Sequence, residues 1–290
     1  MPNPRAEYSP IFNRPPLKLP DNARIAVWPI INVEEWDIKE PMARAVLPTP
    51  QGVSVIPDIP NFGWYDYGMR VGFWRLKRVL DDHQIRATVS LNASVCLSYP
   101  SLVEKSLQSN WELMAHGFVQ RVLNRETDER DVIQRTIKTI KDFSGTAPRG
   151  WMGPGLAETF DTPDILAEEG IEYVCDWCND DQPYPIKVNN GNLISVPYTL
   201  ELNDIPIYLD QHHKSPELLE RSKDQFDTLY NEGAVSARIM AISTHPYITG
   251  VPHRIKYYNE IFNYIKQFEG VIWMTGSEIL DWYKGQTNSH

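Results

Sequence analysis

From residue 24 onward, short apolar runs alternate with amphipathic stretches, and this rhythm limits the possible folds more than any other feature. The runs are Arg24-Ile25-Ala26-Val27-Trp28, Ala87-Thr88-Val89-Ser90-Leu91, Trp111-Glu112-Leu113-Met114 and Arg149-Gly150-Trp151-Met152. Glu172-Tyr173-Val174-Cys175, Leu193-Ile194-Ser195-Val196, Arg238-Ile239-Met240-Ala241-Ile242 and Val271-Ile272-Trp273-Met274 follow. All are short and rich in β-branched or aromatic residues, as buried parallel strands are. Helices are predicted between them over 69–83, 128–143 and 254–267, the second with Val132, Ile133, Thr136, Ile137 and Ile140 on one stripe and Gly145 as its stop. Ser215 as N-cap and Pro216 at the first helical position open another helix, running to about residue 233. Strand then helix, repeated, gives an α/β fold with a parallel sheet wrapped by helices. With seven or eight strands and no break in composition, one distorted TIM-like (β/α) barrel over 23–290 is expected.

The proline-rich residues 1–22 read as an extended arm over the surface or onto a neighbouring subunit. Segments 40–67 and 180–192 are long enough to be functional loops. The net charge of −10, without a basic cluster, argues against a nucleic-acid partner. No apolar run is long enough to span a bilayer, and the start of the chain has no signal-peptide core, so a cytoplasmic protein without a membrane partner is expected. Cys175-Asp176-Trp177-Cys178 is formally C-x-x-C. It leaves a strand rather than opening a helix, and no second pair completes a zinc set, so these cysteines read as incidental.

Function in barrels of this kind collects at the C-terminal strand ends. Those positions hold Glu34, Asn92, His116, Trp151, Asp176, Tyr198 and His245, nearly all polar or aromatic. His116 opens His116-Gly117-Phe118-Val119-Gln120, where a His-x-x-x-His metal site would end in a second histidine. Each residue also has a plainer reading. His116 could be a buried, hydrogen-bonded turn histidine, and Glu34 and Glu35 beside Trp36 a solvated corner. Asp180-Asp181 and His212-His213 read as loop and surface residues.

In order along the chain, five motifs resemble those of the polysaccharide-deacetylase (NodB-homology) superfamily, in particular its branch of metal-independent allantoinases and peptidoglycan-deacetylase-like proteins. They are Asn32-Val33-Glu34-Glu35-Trp36, His116 to Gln120, Arg149-Gly150-Trp151-Met152-Gly153-Pro154, Cys175-Asp176-Trp177 with Asn179-Asp180-Asp181, and Ser243-Thr244-His245-Pro246. The resemblance implies a barrel of the glycoside hydrolase/deacetylase type, hydrolysis of a non-peptide C–N bond and a homo-oligomer, a state that the arm and the aromatic run Asn61 to Tyr67 would also serve. By that resemblance, Asn32 falls where the family has its base, Glu34, His116 and Gln120 at its metal positions, and Arg149 where an arginine orients the base.

A carboxamide at position 120 is a poor ligand and Asn32 is no base, so no cofactor is expected. Zinc weakly held at Glu34 and His116 would instead give an ordinary deacetylase of N-acetyl sugars, and a third reading is an inactive binding barrel. In the metal-free reading Glu34 or Glu35 is the general base, its pKa raised by an apolar mouth containing Trp36 and Trp151. His245, polarised by Asp176, is the acid, and His116 binds substrate or stabilises the oxyanion. Arg149 pairs with a carboxylate. Asn32, Glu35, Gln120, Trp151 and Trp177 bind a small amide, ureide or N-acetyl sugar.

Overall fold

The computed structural model describes residues 3–48 and 52–287. Nine strands form one strongly curled sheet: β1 (Ile25–Val33), β2 (Thr88–Leu91), β3 (Glu112–Ala115), β4 (Gly150–Trp151), β5 (Tyr173–Val174), β6 (Tyr184–Ile186), β7 (Leu193–Ser195), β8 (Arg238–Thr244) and β9 (Val271–Trp273). All pairings are parallel except β6 with β7, in the order β6-β7-β5-β4-β3-β2-β1-β8, with β9 on β1. The eight apolar runs each supply a strand. The ninth, β6, lies inside the segment 180–192 expected to be a loop.

Every residue of β1 is buried, and one of its edges serves two neighbours, β9 at Ile25–Val27 and β2 at Ile30–Val33. Pro29, which has no amide hydrogen, falls at the changeover between them, where a missing ladder bond costs least. The barrel closes on the far side of β8 by isolated bonds rather than a ladder. Ile239 N–H donates to the Asp181 carbonyl at 3.0 Å, and Ser243 N–H to that of Leu202 at 2.9 Å.

Alternation along the strands sorts side chains into two layers. Ala26, Trp28, Ile30, Met114, Met152, Cys175, Val196 and Ala241 belong to an inner cluster that also receives Ile279 and Leu280 of the last helix, α9 below. Val27, Ile31, Val89, Leu91, Leu113, Trp151, Val174 and Met240 face the helices. The helices are α1 (Ile59–Tyr67), α2 (Phe73–Asp82), α3 (Val95–Ser98), α4 (Pro100–Gln108), α5 (Glu129–Ser144), α6 (Thr162–Glu168), α7 (Glu217–Glu232), α8 (Ile255–Ile265) and α9 (Gly276–Thr287). None is long and apolar enough to cross a membrane among the described residues.

Gly145 stops α5 as expected, and Asp128 caps its start rather than lying inside it. The Asp128 carboxylate accepts from Asp131 N–H, and Gly145, at φ 80°, donates to the Lys141 carbonyl. Helix α7 begins one residue later than predicted, with Pro216 rather than Ser215 in the cap position. The aromatic run expected in a loop forms α1 instead, capped by Asp58. A π-helical turn (Gly68–Gly72) joins α1 to α2.

The N-terminal arm lies along its own barrel. Arg5 pairs with Asp164 at 2.7 Å, Arg14 pairs with Asp180 at 2.6 Å, and the Leu17 carbonyl accepts from Ala237 N–H.

Candidate active site

Continuing the inner phase of β1 past Ile30 brings Asn32 and then Glu34 to the C-terminal mouth, and the same phase on β3 and β8 delivers His116 and His245. All four side chains are buried and line one cavity of about 870 Å³ together with Glu35, Trp36, Gln120 and Tyr198. The His245 loop is fixed by direct backbone contact with the π-helical turn. A Cβ on Gly72 would lie 2.0 Å from the Pro246 carbonyl oxygen, so only glycine allows that approach.

Glu34 is the hub. Its Oε1 lies 3.4 Å from His245 Nε2 and 3.7 Å from His116 Nε2, and accepts from Gln120 Nε2 at 2.8 Å. Its Oε2 accepts from the Tyr247 hydroxyl at 3.2 Å. Gln120 is held in turn by Asn92 Nδ2, which donates to its Oε1 at 3.2 Å. Burial favours the neutral acid, but the positive charge of His245 and the two imidazoles facing the carboxylate outweigh it, holding Glu34 well below the ordinary carboxylate range. The expected upward shift is therefore reversed, and Glu34 is a weak base.

The two imidazoles are held by different partners. His116 Nδ1 lies 2.7 Å from the Met152 carbonyl oxygen, which can only accept, so Nδ1 carries a hydrogen. A ring with that one hydrogen turns a bare Nε2 toward Glu34. His245 Nδ1 donates to Asp204 Oδ1 at 2.6 Å, while its own N–H and the Thr249 hydroxyl donate to Asp204 Oδ2 at 2.8 and 2.6 Å. Burial opposes the charged ring, yet Asp204 and Glu34 prevail and push the His245 imidazole up to about 9.

Asn32 Nδ2 donates to Ser243 Oγ at 2.8 Å, leaving its Oδ1 buried without a partner. Glu35 Oε2 is likewise buried and unpartnered. Both residues line the cavity, so these acceptors await donors.

Four expected site residues are elsewhere. Arg149 precedes β4 at the opposite mouth and pairs with Glu172 at 2.6 Å and Asp281 at 2.7 Å. Trp151 has the outer phase of β4 and is fully buried against the helices, so Met152 takes the cavity-side place. Asp176 does not support His245. Its Oδ1 accepts from Gly153 N–H at 2.7 Å, and Asp204 holds the histidine instead. Trp177 turns from the cavity and donates to Glu158 Oε1 at 3.2 Å. The sequence reading missed Asp204 and Tyr247. Asp204 opens a short helical turn (residues 204–210) outside the strand–helix repeat, too brief for periodicity to carry a signal, and Tyr247 lies two residues beyond a strand-end histidine.

The superfamily implies a divalent metal here, and these donors do not fit one. Among the described residues no three His, Cys, Asp or Glu side chains are grouped as metal ligands would be. At the three positions that would hold it, Gln120 presents an N–H to Glu34 rather than a lone pair, which leaves two good ligands, Glu34 and His116.

Residues 64–174 match the polysaccharide deacetylase family model. A Schizosaccharomyces pombe protein bearing the same family name is 27% identical over 291 residues, 89% of each chain. The peptidoglycan deacetylase of Helicobacter pylori is 23% identical over 246 residues, covering 73% of this chain and 83% of that one. The crystal structure of the PuuE allantoinase superposes with a TM-score of 0.87 at 26% identity, covering 98% of both chains. Family model, relatives and solved structure alike thus liken the chain to the polysaccharide deacetylase (NodB-homology) superfamily.

Proposed function

We propose that this protein hydrolyses a non-peptide carbon–nitrogen bond in a small ureide or related amide, as an allantoinase does, using its own side chains rather than a metal. The observation that carries this reading is the convergence of two imidazoles on one Glu34 oxygen, one ring anchored through Nδ1 to a carbonyl oxygen and the other to the Asp204 carboxylate. A water between His116 Nε2 and Glu34 Oε1 would give one hydrogen to each, leaving an oxygen lone pair for the substrate carbonyl carbon. His116 takes the proton as hydroxide adds, and Glu34 orients the water. The C–N bond then breaks as His245 passes its Nε2 proton to the departing nitrogen. The Asp204 carboxylate holds that ring in place and favours its charged form. Asn32 Oδ1 accepts from a substrate N–H, a donor that ureides carry on both sides of the carbonyl. The likeness to the allantoinase over nearly the whole of both chains supports the same substrate class.

Turnover of allantoin and of N-acetylglucosamine oligomers, with and without chelator and beside metal analysis, tests the proposal. Chelator-insensitive ureide hydrolysis is expected. Stoichiometric zinc with deacetylation lost on chelation would overturn it.

A further inference from the structure

The Met152–Gly153 peptide group is bonded at both ends. Its carbonyl accepts from His116 Nδ1 at 2.7 Å, and its N–H donates to Asp176 Oδ1 at 2.7 Å. We infer that Asp176 is a positioning residue that acts on the catalytic base through this peptide, holding His116 in the Nδ1–H state with its bare Nε2 toward Glu34; this rests on the proposed role of His116.

The arrangement is built closely. A Cβ on Gly153 would lie 2.6 Å from the Ala157 carbonyl oxygen and 3.1 Å from Asp176 Oδ2, so any side chain there would push the peptide away from the carboxyl. A peptide whose N–H is engaged offers a more polarised carbonyl to its other partner. It also cannot turn about its flanking bonds without losing both contacts. The Glu158 carboxyl lies beside Asp176, and Oδ1 is the Asp176 oxygen that anchors the peptide. Burial and the adjacent Glu158 carboxylate push Asp176 well above the carboxylate range, while burial pushes Glu158 up to about 7. Asparagine keeps an acceptor oxygen facing the Gly153 N–H, whatever the charge of the carboxyl it replaces.

The test is nitrogen NMR of histidine-labelled full-length protein without substrate, the His116 signals being assigned by their loss in His116→Gln. The wild-type neutral ring should be in the Nδ1–H form. Asp176→Ala should shift it toward the Nε2–H form and lower kcat about 10- to 100-fold with KM little changed, by analogy with the partners that orient metal-ligating histidines. Asp176→Asn should restore most of both. An unmoved tautomer in Asp176→Ala, or an Asp176→Asn loss as large as that of alanine, would overturn the inference. The tautomer is read without substrate, so the positioning role can stand or fall apart from the choice of ureide.

Discussion

Replacing Asp204 with asparagine removes one charge from a buried pair while nearly keeping its shape, and the cost can be worked from the contacts. Asp204 accepts from the His245 ring, the His245 N–H and the Thr249 hydroxyl, all within 2.8 Å. Asparagine offers one acceptor oxygen in place of two, and the Thr249 hydroxyl can reverse its hydrogen. Either the ring or the backbone N–H loses its partner. A hydrogen bond to a charged group contributes roughly 1.5–3 kcal/mol, and breaking a buried ion pair costs about 3–5 kcal/mol. A loss of about 3 kcal/mol is expected for this near-isosteric change. The larger consequence is chemical. With the Asp204 charge gone, the His245 pKa should fall from about 9 toward its ordinary 6.5. Near pH 7.5 the imidazolium fraction then drops from almost all molecules to about a tenth, so protonation alone lowers the rate about 10-fold. The assay is the pH profile of kcat on a ureide, paired with NMR titration of the His245 ring. A basic limb and ring titration unmoved in Asp204→Asn would refute the assignment of His245 as an acid held charged by Asp204.

Other outcomes follow from the same contacts. Arg149→Ala should leave kcat and KM near wild type, because its partners are Glu172 and Asp281 at the far mouth. It should cost about 1 kcal/mol in urea unfolding, since the pairs are partly exposed. Gln120→His would set an imidazole beside Glu34 and His116, so metal analysis after zinc exposure should find retention above that of the wild type; equal retention would refute this. Stability should also depend on pH in a defined way. The lowered Glu34 pKa contributes stability that is present above 4.5 and lost as pH falls below it. The raised His245 pKa contributes about 3 kcal/mol that is present below 6.5 and lost as pH rises through about 9. Glu158, raised from 4.5 to about 7, acts in the same direction as His245. Calorimetric Tm should therefore be highest in mildly acid buffer and decline through neutrality; a Tm rising from pH 6 to 9 would contradict these assignments.

What could be read from the sequence, and what could not, follows from strand length and phase. The eight apolar runs were legible because a buried parallel strand must be apolar on both faces, and all eight form strands. Strand β6 was not, because Tyr184-Pro185-Ile186 is a partly exposed sheet-edge strand where proline is tolerated. Helix α1 was hidden by its aromatic sequence, which lacks a clear helical stripe. Period two carried Asn32, Glu34, His116 and His245 to one mouth, since β1, β3 and β8 are long enough to fix the phase. Strand β4 has only two residues, and a one-residue error exchanges the faces. Trp151 and Arg149 were misplaced for that reason. Asp204 follows no repeat, because only tertiary packing brings it under His245.

The position that began as a missing histidine can be understood through charge balance. A carboxylate as buried as Glu34 cannot remain ionised without a nearby cation and hydrogen-bond donors. In a deacetylase with its full ligand set, the metal would be that cation. Here His245 provides the charge at 3.4 Å, with Gln120 and Tyr247 donating to the two carboxylate oxygens. Holding His245 charged through Asp204 and admitting a metal are, on the proposed reading, competing designs, since each sets a cation against the same carboxylate. On the proposed reading, Gln120 belongs to the first. Its N–H complements the anion without adding charge, and its oxygen is occupied by Asn92. The proton held on His245 is then the one delivered to the leaving nitrogen, so the group that stabilises Glu34 at rest is also the acid of the reaction.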